Sequence, residues 1–114
     1  MASAPEFIPN YIEVKATDLA SSKSFYESAF GFKFTDYGTD YAAVEGGLIQ
    51  IGVAAGDAPT APMPIFETNN LEAALEKVKE ANGQIVRDII AYPGGRRFEF
   101  LDPSGNRLGV YQND

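Results

Sequence analysis

The chain has 114 residues, nine basic against 16 acidic side chains, a net charge of −7, and neither cysteine nor histidine. That length suits one domain, and the missing residue types exclude disulfides, thiolate nucleophiles and metal sites built on thiolate or imidazole. The only adjacent basic pair is Arg96-Arg97, which excludes a phosphate track for nucleic acid, and no apolar run reaches the roughly 18 residues of a membrane helix.

The opening Met-Ala-Ser-Ala-Pro-Glu-Phe has neither the basic nor the apolar region of a signal peptide, so a cytoplasmic protein with no membrane partner is expected. The acidic balance serves solubility and would favour cationic ligands.

Alternation predicts a first strand in which Ile12, Val14 and Ala16 face one way and Tyr11, Glu13 and Lys15 the other. Asp18 is placed to cap a helix over residues 19–30, because its carboxylate can accept from the free amides of the first turn. Three-and-four spacing predicts that this helix buries Leu19, Ser22, Phe25, Tyr26, Ala29 and Phe30, with Gly31 closing it. Short strands are expected at 32–37, 40–45 and 48–53, separated by turns at Gly38 and Gly46-Gly47. Residues 54–62, with Pro59 and Pro62, read as a stiff connecting loop.

The same order then recurs. A strand over 63–68 leads to an Asn69-Asn70 cap, a helix over 71–81 closed by Asn82-Gly83, and strands at 84–91, 96–101 and 107–112. Tyr92-Pro93-Gly94-Gly95 is either a hairpin turn or an aromatic rim. At an offset of 52 residues Asp18 maps onto Asn70, Leu19 onto Leu71, Ala29 onto Ala81 and Gly31 onto Gly83. Residues 1–114 therefore read as one α+β domain of two tandem βαβββ modules, about 8–54 and 63–112, with helices outside a curved mixed sheet.

The segments Tyr11-Ile-Glu-Val-Lys-Ala-Thr-Asp18-Leu19, Phe25-Tyr26-Glu27, Phe30-Gly31-Phe32 and Asp102-Pro103-Ser104-Gly105-Asn106 resemble the vicinal-oxygen-chelate superfamily of glyoxalases, bleomycin-resistance proteins and dioxygenases. The motifs themselves are structural. Asp102-Pro103-Ser104-Gly105 has the composition of a turn, and Phe25-Tyr26 of a helix core. The fold hosts many reactions, so the resemblance names none.

Metal-dependent relatives place four ligands on the concave face, and the resemblance carries those positions onto Tyr11, Gln50, Met63 and Gly109. Of these only Gln50 offers an oxygen suited to a hard divalent ion, so no metal and no cofactor are expected. The concave face would instead present Tyr11, Glu13, Lys15, Gln50, Met63, Ile65, Glu67, Arg97, Glu99, Gly109 and Tyr111, a mixture suited to a small organic ligand. Against this, Glu13-Lys15 and Arg97-Glu99 read equally as ion pairs on a wet face.

The expected function is metal-independent small-molecule binding, including sequestration of an organic compound or antibiotic, in a homodimer. A lyase, isomerase or dioxygenase using Glu13, Glu67 and Glu99 as an atypical carboxylate site is the alternative. A purely structural dimer is the third.

Overall fold

A computed structural model describes residues 4–44, 46–58 and 60–114. Glu45, expected to end the third strand, and Pro59, expected in the connecting loop, lie outside the described residues. The chain is α+β and repeats βαβββ twice. The elements are β1 (Ile8–Ala16), α1 (Leu19–Phe30), β2 (Phe34–Asp36), β3 (Tyr41–Val44), β4 (Gln50–Ala55), β5 (Met63–Glu67), α2 (Leu71–Glu80), β6 (Gln84–Tyr92), β7 (Gly95–Leu101) and β8 (Arg107–Asn113). None of the described helices is long and apolar enough to cross a membrane.

Local chemistry accounts for the helix ends. Asp18 Oδ1 accepts from the Ser21 amide at 3.1 Å, and Asn70 Oδ1 from the Ala73 amide at 3.1 Å. Gly31 closes α1 in the left-handed conformation, with φ 70°. At α2 the left-handed residue is Asn82, with φ 69°, rather than Gly83. Asparagine tolerates that region better than most side chains. Gly83 serves packing instead, since a Cβ there would lie 3.0 Å from the Val78 carbonyl oxygen.

Packing divides the chain into two compact units. The N-terminal unit holds residues 11–63, and the C-terminal unit holds residues 4–10 with 64–114. In the N-terminal unit β1 lies parallel to β4, while β4 pairs with β3 and β3 with β2 antiparallel. Its buried apolar residues are small: Ala16, Ala42, Ala43, Val53 and Ala54.

The six side chains expected to be buried along α1 are not. Leu19, Ser22 and Tyr26 are half-buried, Ala29 is exposed, and Phe25 and Phe30 are 59% and 61% exposed. The helix rests against β4 on a stripe too narrow for every apolar side chain. The rings pack on one another, Phe25 edge-on to Tyr26 and Phe30 against Phe32. β4 also starts two residues later than expected, because the Gly46-Gly47 turn runs on through Leu48 and Ile49 and leaves Leu48 wholly exposed.

The C-terminal unit has the larger core. β5 lies parallel to β8, β8 pairs antiparallel with β7, and β7 with β6. One face of this sheet carries Phe98 and Val110 against Leu71 and Ala74 of α2, all at most 1% exposed. Pro93-Gly94 makes the β6–β7 hairpin, Gly94 taking φ 100°, which settles Tyr92-Pro93-Gly94-Gly95 as a turn.

Asp102 organises the β7–β8 turn as its composition predicts. Its Oδ1 accepts from the amides of Ser104 and Asn106, each at 2.9 Å, and its Oδ2 from the Asn106 side-chain amide at 3.0 Å. Those bonds, the Asn106 side chain first, hold the Asp102 carboxyl below its ordinary value. A lowered folded-state value contributes stability above the unfolded value near 3.9 and loses it as pH falls through the folded value. Asp102→Asn is therefore expected to flatten the acid limb of stability below about pH 4, read by thermal unfolding across that range.

Candidate functional site

Because side chains alternate across a strand, the residues between those of the α2 core share the opposite face of the C-terminal sheet. The registers arrange them in rows. One row runs Ile65, Gly109, Glu99, Arg87; the next runs Glu67, Tyr111, Arg97, Ile90. Arg107, paired with Leu101, flanks the first row on its other side.

Glu99 lies at the centre of this face and is 3% exposed. Its Oε1 accepts from Arg107 Nε at 2.8 Å and lies 2.7 Å from Arg107 Nη2. Its Oε2 lies 3.2 Å from Arg97 Nη2 and 3.9 Å from Arg87 Nη1, yet accepts a hydrogen bond from neither in this geometry. Three of the chain's four arginines thus surround one carboxylate. The pair expected on a wet face is centred on a buried carboxylate that has three guanidiniums within 4 Å.

Beside it, Glu67 Oε1 accepts from Asn10 Nδ2 at 2.9 Å and Oε2 from Asn113 Nδ2 at 3.4 Å. The Tyr111 hydroxyl donates to Asn10 Oδ1 at 2.9 Å. Burial, then the Glu67 charge, push the Tyr111 phenol up, and the Asn10 bond opposes them. Glu67 also lines a cleft of about 360 Å³ with Glu6, Ile8, Thr68, Asn69 and Gln112.

On the N-terminal unit the corresponding row is Glu13, Gly52, Ala43. The phenols of Tyr11 and Tyr41 hydrogen-bond to each other above Gly52, where a Cβ would collide with both. Tyr41 donates onward to Glu13 Oε2 at 3.2 Å, and Lys15 Nζ lies 3.8 Å from Glu13 Oε1. Glu13, like Glu99, is 3% exposed. These phenols fill the space over Gly52.

Both units thus set a glycine of the last strand beside a buried carboxylate. Gln50 pairs with Tyr11, whereas Gly52 pairs with Glu13 as Gly109 pairs with Ile65, 52 residues on from Glu13. Gly52 is therefore the counterpart of Gly109, and Gln50 stands two residues before it on the same face. Met63 opens β5 and is half-buried.

Sequence reasoning missed Arg87, Arg107 and Tyr41. Register shifts on either side of Arg87 break the alternation of β6, while Arg107 and Tyr41 are the first residues of their strands. A pattern of alternation gives least information at such positions.

The donor set does not fit a divalent metal. Tyr11, Gln50, Met63 and Gly109 provide a phenol bonded to Tyr41, an amide, a thioether and no side chain. Glu13, Glu67 and Glu99 are engaged by Tyr41 and Lys15, by Asn10 and Asn113, and by the arginines. Among the described residues no group of acidic side chains is placed to hold a metal ion.

A family model described as Glyoxalase/Bleomycin resistance protein/Dioxygenase superfamily matches residues 8–110. "Putative glyoxylase CFP32" of Mycobacterium bovis is 28% identical over 120 aligned residues, covering 91% of this chain and 45% of the relative. The chain thus spans about half the length of the curated relatives it matches. Methylmalonyl-CoA epimerase from Mycobacterium tuberculosis superposes with a TM-score of 0.77 at 12% identity, covering 93% of this chain and 87% of the epimerase. Homoprotocatechuate 2,3-dioxygenase from Brevibacterium fuscum superposes at 0.75 and 20% identity, over 96% of this chain and 38% of the enzyme. These structures share the fold. By the match across residues 8–110, the chain belongs to the Glyoxalase/Bleomycin resistance protein/Dioxygenase superfamily.

Proposed function

We propose that this chain is a metal-independent small-molecule-binding protein of its superfamily. Its organic ligand contacts the face carrying Ile65, Glu67, Arg97, Glu99, Gly109 and Tyr111. The observation that supports this is the donor set. The four positions that the resemblance assigns to metal ligands hold Tyr11, Gln50, Met63 and Gly109, and the nearby carboxylates are spent on protein partners. On the N-terminal unit the same reading assigns Tyr11, Glu13 and Gln50 to ligand contact, and Met63 to it at the start of β5. It takes the protein as a cytoplasmic homodimer. Pairing is supported by the aromatic side chains exposed on α1, since a second copy would remove Phe25 and Phe30 from water.

The test is metal analysis of protein purified without chelators, followed by a thermal-shift screen of small organic compounds. Substoichiometric metal before and after incubation with Ni, Zn, Fe or Mn, together with stabilisation by at least one compound, is the expected result. Near-stoichiometric, tightly held metal would overturn the reading. A lyase, isomerase or dioxygenase with a carboxylate site would then lead. That second reading draws on the Tyr11–Tyr41–Glu13 chain, which has the connectivity of a proton relay.

A further inference from the structure

We propose that the apolar cleft beside the C-terminal end of α2 binds a small amphipathic anion, a medium-chain carboxylate, with its apolar body in the cleft and its carboxylate on the Lys77 ammonium. The cleft lies on the α2 side of the C-terminal sheet, the face opposite to Ile65, Glu67 and Glu99. The site is therefore separate from the one proposed above and does not rest on that reading.

The cleft belongs wholly to the C-terminal unit and opens onto its core. Phe66 of β5 and Val110 of β8 are register partners, and Phe100 of β7 stands two residues beyond Phe98 on the same face. Val78 and Ala81 on the α2 side, and Phe7 just before β1, complete the apolar lining of a volume of about 270 Å³. Val110 is 1% exposed and packs in the α2 core, so the cleft reaches down to core side chains. It is nevertheless open to water. α2 packs on β6, β7 and β8, while Phe66 on β5 stays half-buried and Phe7 is 39% exposed. A concave apolar lining left wet favours an apolar occupant, because removing that surface from water is the driving force.

Lys77 gives the occupant its charge. Its methylene stem lines the cleft, while its ammonium has no ion pair among the described residues. Of the nearby acids on α2, Glu76 pairs with Lys79 at 3.5 Å, and Glu80 makes no ion pair with Lys77. Among the described residues no other charged side chain lines the cleft. One ammonium beside an apolar surface is complemented by one anionic group on an apolar body, and it repels a cation. The volume lies just under the roughly 300–1,000 Å³ of common ligand pockets, which suits a chain of about eight carbons rather than a larger body.

The experiment uses the full chain and three probes of one chain length: octanoate, the uncharged octanamide and octylammonium. Binding is followed through the backbone amide resonances of Phe66, Ala81 and Val110. Octanoate should shift them saturably. Octanamide should bind about threefold to fivefold more weakly, the weight of one exposed charge pair, and octylammonium more weakly still. Lys77→Met keeps an unbranched apolar stem and should bring octanoate down to the affinity of octanamide. Ala81→Leu should fill the cleft and weaken octanoate and octanamide alike, at least about tenfold. Both positions are exposed, so the variants are expected to fold, and their amide spectra check this.

Octanamide or octylammonium binding at these amides as tightly as octanoate would overturn the anionic class, as would unchanged octanoate affinity in Lys77→Met. Full affinity in Ala81→Leu, or no saturable shift with any probe, would overturn the site. Shifts of the same amides with protein concentration alone would show a second copy covering the cleft, which also overturns it.

Discussion

Replacing Glu99 by glutamine is expected to lower the unfolding free energy by about 2–4 kcal/mol, although it preserves the shape of the side chain. The carboxylate is 3% exposed and is held by two short contacts from Arg107. Removing its charge takes away the carboxylate that stands within 4 Å of Arg87, Arg97 and Arg107. For a dry ion pair, loss of one partner costs about 3–5 kcal/mol. Here Arg87 and Arg107 keep about half of their side chains in water and can rehydrate, which reduces that figure. Urea unfolding at an unchanged slope gives the measurement. A loss under about 1 kcal/mol would mean that the cluster is a surface ion-pair network of little energetic weight.

Phe98→Ala is expected to cost more, about 3–5 kcal/mol. The ring is fully buried, packs with Leu71, Ala74 and Val110, and meets Phe100 at a centroid distance of 6.2 Å. Small domains are stable by only about 5–15 kcal/mol, so this one truncation removes a large share. It also reaches the candidate site, since Phe98 lies between Arg97 and Glu99 on β7 and pins the strand that presents them. Chemical denaturation measures the loss. Phe25→Ala, removing an equally large ring that is 59% exposed, is the comparison and should cost far less.

That contrast shows how far a pattern of residues can be read. Phe25 and Phe98 are both aromatic residues in amphipathic segments, yet Phe25, which helical spacing assigns to a core, is 59% exposed while Phe98 is fully buried. Burial depends on what lies opposite, and α1 meets a narrow stripe of β4 whereas β7 meets α2. The cap residues were legible because their chemistry is local. Asp18, Asn70 and Asp102 bond to amides at most four residues away. The exchange of Asn82 for Gly83 as the left-handed residue was not legible, since both tolerate that conformation and a contact with Val78 decides between them.

The candidate site divides along the same line. Alternation and the resemblance together single out Tyr11, Glu13, Gln50, Met63, Ile65, Glu67, Arg97, Glu99, Gly109 and Tyr111, and the registers pair Tyr11 with Gln50, Ile65 with Gly109, Glu67 with Tyr111, Arg97 with Tyr111 and Glu99 with Gly109. Their partners did not follow. Arg87 comes to Glu99 across a bulged β6, Arg107 from the start of β8, and Tyr41 crosses β4 only because Gly52 has no side chain.

Composition, repeat and turn chemistry, all short-range or additive properties of the chain, were enough to determine the α+β class, the two βαβββ modules and the absence of cysteine and histidine chemistry. The tertiary structure alone decided that a chain of net charge −7 gathers three of its four arginines around one buried carboxylate. Net charge is a sum over residues, whereas a site is set by pairings between strands far apart in sequence, and only folding brings those together.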